Sequence, residues 1–154
     1  SIYRGEKILI RRVSDKLIAT FDNENFLTLN TIYCCKSISE NYNLKFICGL
    51  INSRVIQFWF TNMFVLTDKL FPYIRKSQLD LVPIPKLNSK EQSQIIEIVD
   101  QILIAKKVTH NEEISILEAQ IDSLVYKLYD LTYDEVKVIN PDIQLSEAEY
   151  DALK

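Results

Sequence analysis

Short alternating runs of apolar and polar residues occupy the first third of the chain, and stretches with apolar residues three and four apart fill most of the remainder. Residues 7–13 (Lys-Ile-Leu-Ile-Arg-Arg-Val) and 17–21 (Leu-Ile-Ala-Thr-Phe) carry β-branched and aromatic side chains on either side of the polar turn Ser14-Asp15-Lys16. That arrangement predicts a hairpin. Residues 26–35 place Leu27, Leu29, Thr31 and Tyr33 on one face at a period of two, which predicts a third strand and an antiparallel meander. After the polar connector 37–43, Phe46, Ile47, Leu50, Ile51, Val55, Phe58 and Trp59 recur at helical spacing and predict one core helix over 44–60. Asn52, Ser53, Arg54 and Gln57 interrupt its apolar surface, and a charge near a bilayer's centre costs about 3 kcal/mol. The stretch therefore reads as core and not as a membrane span. Residues 61–70 are less regular.

The joint of the chain is residues 71–87. Tyr73, Ile74, Leu79, Leu81, Val82 and Ile84 are strand formers, while Pro72, Pro83 and Pro85 oppose a helix, so an edge strand running into an extended spacer is expected. Beyond it, Ser89-Lys90-Glu91-Gln92 has the form of a capping box and starts an amphipathic helix reaching about residue 108. Thr109-His110-Asn111-Glu112 repeats that form, so either a second helix starts here or one long helix passes through. Ile114, Leu117, Ile121, Leu124 and Leu128 then make a narrow apolar seam that needs a partner: the preceding helix folded back as a hairpin, or a second subunit or domain. Thr132 caps a short helix that ends at Asn140-Pro141, and Ser146-Glu147-Ala148-Glu149 begins either a last helical turn or a fraying tail. The pattern predicts an α+β fold, a small antiparallel or mixed sheet packed on a core helix and followed by a helical hairpin. Its expected divisions are residues 1–86, 87–139 and 140–154.

Charge divides the chain at the same joint. Residues 1–86 hold 12 Lys and Arg against 7 Asp and Glu, whereas residues 87–154 hold 6 against 14. The net charge of −3 averages a basic module and an acidic helical half. Several chemistries fall away on composition. Two glycines cannot build a glycine-rich phosphate loop, and one histidine with three scattered cysteines gives neither zinc-ligand spacing nor a nucleophile with its base. Pro141-Asp142 lacks the acidic-x-Lys sequel of a two-carboxylate nuclease, and Asn140-Pro141-Asp142 is the nearest approach to an Asn-Pro-Pro-aromatic methyltransferase motif. Elimination leaves a binding module without a catalytic site. An odd number of cysteines fits reduced thiols and a cytoplasmic location, and Ser1 in the place of Met suggests part of a longer protein.

Arg11, Arg12, Lys36, Lys45, Arg54, Lys69, Arg75, Lys76 and Lys86 are the candidate phosphate-binding residues, interleaved with Tyr33, Phe71 and Tyr73. A solvated charge is the ordinary reading of any one of them. Arg75 and Lys76 rank first because consecutive side chains on an extended segment diverge, one towards a base edge and one towards a phosphate. Arg11, Arg12 and Lys69 follow as DNA contacts. Asn52 and Arg54 are expected to be structural.

Lys7-Ile-Leu-Ile-Arg-Arg12, the run 27–33, Leu50-Ile-Asn-Ser-Arg54 and the run 79–85 ending in Val-Pro-Ile-Pro occur in an order that resembles the TaqI-like C-terminal specificity domain of type II (IIG class) restriction-modification enzymes. Residues 121–132 resemble the helix that follows the target-recognition region in these enzymes, so the likeness spans about residues 4–139. The resemblance implies double-stranded DNA as partner, read by loops at 11–16, 36–43 and 60–76. It implies upstream adenine methyltransferase domains, with or without a nuclease, in the same polypeptide; S-adenosylmethionine and Mg2+ would be used there and no cofactor here. No membrane contact is expected, and a homodimer through the helical segment stays open. The Pro-Ile-Pro-x-Leu run with Glu91-Gln92 is also similar to type I restriction specificity subunits, and a protein-interaction module docking through the acidic helices is the reading from another class.

Overall fold

The computed structural model describes residues 3–64, 72–108 and 110–153. Three strands form one antiparallel sheet: β1 (Lys7–Arg11), β2 (Ala19–Asp22) and β3 (Ile32–Cys35). The helices are α1 (Leu44–Asn52), α2 (Arg54–Met63), α3 (Lys76–Leu79), α4 (Ser89–Lys107), α5 (Asn111–Leu128), α6 (Tyr133–Ile139) and α7 (Glu147–Asp151). The expected α+β class, with a helix-backed sheet and then a helical hairpin, is what the chain adopts.

The strand order is β2-β1-β3, so the meander expected from the sequence is corrected: β3 pairs with β1 and not with β2. The register is Ile8 opposite Phe21 and Cys35, and Ile10 opposite Ala19 and Tyr33. Side chains of directly opposed residues share a face, so these six line one side of the sheet, where α1 packs. The central strand, β1, is buried on both faces from Lys7 to Ile10. Residues 23–31 carry the chain across. The Asp22 carboxylate accepts hydrogen bonds from the Glu24 and Phe26 N–H groups (2.8 and 3.1 Å), and Asn25 takes the left-handed conformation at φ 60°. The third strand thus begins at Ile32 and not at Phe26. Leu27 and Leu29, expected on a strand face, are 80 and 81% exposed on this connection.

The single core helix expected over 44–60 is two helices. Ser53 breaks it by serving both: its Oγ donates to Leu50 O (2.7 Å) at the end of α1, and it caps the start of α2. The polar residues that interrupt the apolar run have a purpose at the sheet's edge. Asn52 accepts from Ala19 N (3.0 Å) and donates to Ala19 O (2.9 Å), and Gln57 makes the same pair of bonds with Leu17 (3.1 and 2.8 Å). Two side-chain amides thereby occupy the open edge of β2 and the residues leading into it.

At the joint the expected edge strand reduces to one antiparallel bridge, Val13 to Tyr73. The Gln78 side chain accepts from Arg75 N (2.8 Å) and turns the chain into α3, so Leu79 lies on a helical turn before an extended exit over residues 82–88. The cap of α4 is Asn88, one residue before the expected Ser89, with Glu91 Oε2 accepting from Asn88 N (2.7 Å). Thr109 lies outside the described residues; a second helix, α5, starts at Asn111 after His110 and folds back on α4, which supplies the partner for the 114–128 seam. The last segment docks and does not fray: Ser146 caps α7, and Tyr150 is buried with its hydroxyl donating to Leu131 O (2.6 Å).

Candidate nucleic-acid interface

Two remote parts of the sequence meet at the C-terminal end of β1. Ile74 N donates to Arg12 O (2.8 Å) and Ser14 N to Pro72 O (3.0 Å), so residues 72–74 lie beside residues 12–14 along the same flank of β1 as β3. Arg11, Arg12 and Arg75 are thereby carried to one end of the sheet, together with the 14–18 turn that holds Lys16. Lys69 lies outside the described residues. The 36–43 loop, expected to join the same surface, does not. Cys35 pairs with Ile8 near the other end of β1, and the loop that follows is tied to α4, where buried Gln92 accepts from Asn43 N (3.0 Å) and donates to Asn41 O (2.8 Å).

The neighbouring arginines have different surroundings. Arg11 stands opposite Ile32 on the sheet face away from α1, exposed and with no side-chain partner among the described residues. Arg12 is half-buried. Its guanidinium carbon lies 5.2 Å from the centre of the Tyr33 ring and 4.5 Å from that of Tyr73, and its Nη1 donates to Asn30 O (2.9 Å). Arg75 keeps an extended backbone as the cap residue of α3, and Lys76 is the first residue of that helix. Arg75 is exposed and unpaired among the described residues, whereas Lys76 Nζ donates to both oxygens of Asp80 (2.9 and 2.7 Å). The hydrogen bond and the charge of Asp80 push the Lys76 ammonium above its ordinary pKa.

Other candidate cations are committed elsewhere. Lys45 pairs with Asp100 (2.6 Å), Lys36 donates to Arg4 O, and Arg54 meets Asp122 through its backbone N–H (2.8 Å) and its Nε (3.3 Å). Asn52 and Arg54 thus make structural contacts. The cations free to meet a polyanion at this end of the sheet, among the described residues, are Arg11, Lys16 and Arg75. Sequence reasoning places Lys16 only within a loop. Its signal is the polar turn between two strands, which projects a side chain past the sheet's end. It also passes over Asp80, although four residues from Lys76 is salt-bridge spacing on a helix.

A family model described as TaqI-like C-terminal specificity domain matches residues 1–84, which span the sheet, α1 to α3 and the start of the proline-rich exit. The match ends well before residue 139, so the tyrosine-rich end of α5 lies beyond it. No curated protein matches the chain. With more than half of its length matched, and the basic end of the sheet inside the matched part, the chain belongs to the TaqI-like C-terminal specificity domain family, whose role is DNA recognition in restriction-modification enzymes.

Proposed function

We propose that this chain selects the target sequence for a type II, IIG-class restriction-modification enzyme in the bacterial cytoplasm, and that it carries out no chemistry itself. The observation that carries this reading is the convergence of Arg11, Lys16 and Arg75, exposed and unpaired among the described residues, on an end of the sheet assembled from two separate segments. Long cationic side chains without internal partners bind phosphate oxygens or the O6 and N7 of guanine, and a rigid sheet fixes which of the two each can reach. The acidic helical hairpin is repelled by the duplex and stands away from it, holding the recognition module against the rest of the enzyme.

Methyl transfer to adenine and strand cleavage belong, in this reading, to upstream domains that bind S-adenosylmethionine and Mg2+. Among the described residues no three His, Cys, Asp or Glu converge on one point. No described helix is long and apolar enough to cross a membrane.

Selection from a pool of random 20-bp duplexes tests the reading. The chain should enrich a short motif over successive rounds, and Arg75→Ala should enrich it less or relax one position of it. Retention of the pool without enrichment of any motif would contradict a role in sequence selection.

A further inference from the structure

Charge alone ranks Arg12 among DNA contacts, yet its side chain is the most heavily engaged of the cations at the basic end of the sheet. The guanidinium carbon lies over the rings of both Tyr33 and Tyr73. Nη1 is taken by Asn30 O, and Nε is buried without a hydrogen-bond partner among the described residues. The backbone of the same residue is bound on both sides of its Cα: Arg12 N donates to Thr31 O (2.9 Å), and Arg12 O accepts from Ile74 N. Tyr33 completes the arrangement by donating its hydroxyl to Ile74 O (3.0 Å). One side chain therefore fastens the end of β1, the residues entering β3, and the segment that leads directly into Arg75.

We propose that Arg12 is a positioning residue for DNA recognition: the Tyr33-Arg12-Tyr73 stack fixes the 72–75 segment, so that Arg75 meets the duplex in one orientation, and Arg12 neutralises no phosphate. The inference rests on the DNA-binding reading above. A planar guanidinium suits this role because it presents a face to each ring while its edge still donates a hydrogen bond. A lysine ammonium keeps the charge but cannot stack on both rings and donate in the same plane. Affinity for DNA at large depends on the number of phosphates neutralised, whereas discrimination depends on where the reading side chain stands. Loss of the stack should consequently damage the second and spare the first.

The test compares the wild-type chain with Arg12→Lys, Arg12→Ala, Tyr73→Phe, Tyr73→Ala and Arg75→Ala. Each is titrated with a random-sequence 20-bp duplex across a range of salt, and with the duplex enriched by selection. Thermal melting is recorded alongside, and Tyr73, an exposed residue, supplies variants that do not depend on tolerance at Arg12. The proposal expects Arg12→Lys and Tyr73→Ala to lower the ratio of selected to random affinity about tenfold while leaving the salt slope unchanged. Combining the two should cost no more than either alone, and Tyr73→Phe, which keeps the ring, should behave as wild type. Arg75→Ala should flatten the slope by about one. A slope flattened by about one in Arg12→Ala, with the ratio intact in Arg12→Lys, would make Arg12 an ordinary phosphate contact and overturn the proposal. Failure of the wild type to bind either duplex would instead remove the DNA-binding reading, and this inference with it.

Discussion

The carboxylate of Asp122 on α5 accepts a hydrogen bond from the backbone N–H of Arg54, 2.8 Å away in the first turn of α2, and so fastens the acidic hairpin to the helices behind the sheet. Burial pushes the Asp122 pKa up to about 6 against the opposing pull of Arg54. A carboxyl whose folded pKa is raised binds its proton more tightly folded than unfolded. Its ionisation thus opposes folding above about pH 6, and that penalty lifts as pH falls through 6 towards 4. Urea unfolding at pH 7 and pH 5 should show wild type gaining stability relative to Asp122→Asn as pH falls. Asp122→Ala, which leaves the Arg54 N–H without its acceptor, should cost about 1–3 kcal/mol at either pH.

Asp22 has the opposite sign. Burial raises its pKa, but the hydrogen bond from Lys7 and those from the backbone of Glu24 and Phe26 outweigh it, and the carboxyl is held below its ordinary value. Its stabilisation is therefore present above about pH 4 and lost as pH falls through the lowered folded value. Lys7 and Asp22 form a buried ion pair. Removing one partner strands the other, so Asp22→Leu alone should cost roughly 3 kcal/mol in chemical denaturation, and Lys7→Met with Asp22→Leu distinctly less.

Gly49 on α1 packs directly against Ile95 and Val99 of α4. A methyl group there would lie 2.8 Å from Ile95 Cγ2 and 3.0 Å from Val99 Cγ2, both branched atoms with little freedom to move. Alanine gains about 1 kcal/mol of helix propensity over glycine, but overpacking of a tight core costs about 1–3 kcal/mol. Gly49→Ala should lower the melting temperature in spite of its propensity, and a rise would show that the two helices can move apart.

Tyr150 anchors the end of the chain on Leu131 O, with its ring centre 5.9 Å from that of Tyr133. Tyr150→Ala should cost about 3–5 kcal/mol, as truncation of a buried aromatic does, and Tyr150→Phe about 1 kcal/mol for the hydrogen bond alone. Melting curves of the two variants check both values. Equal, negligible effects would mean that the last helix does not contribute to the fold.

Elements with a strong local period were legible in the sequence. The α4 and α5 hairpin followed from its seam, and the α6 cap from Thr132 and Glu135. What the sequence did not disclose depended on partners remote along the chain. Leu27 and Leu29 alternate like a strand, but alternation states only that a strand is possible, and among the described residues no strand pairs with them. The break at Ser53 was hidden because apolar spacing continues through it. At the basic end of the sheet, the sequence ranked Arg75 and Lys76 ahead of Arg11 and Arg12 but did not tell a free cation from a paired or stacked one. Their separation into free, stacked and paired cations rests on Tyr33, Tyr73 and Asp80, whose contacts with them exist only once the sheet, the bridge at Tyr73 and the turn of α3 have formed.

The slope of log affinity against log salt for a random-sequence duplex tests the central claim most directly. The three cations that are free at this end of the sheet among the described residues predict a slope of about −3, reduced to about −1 in Arg11→Ala with Arg75→Ala. An affinity unchanged between about 50 and 200 mM salt, or a slope the double variant leaves intact, would show that this end of the sheet is not where the chain meets DNA.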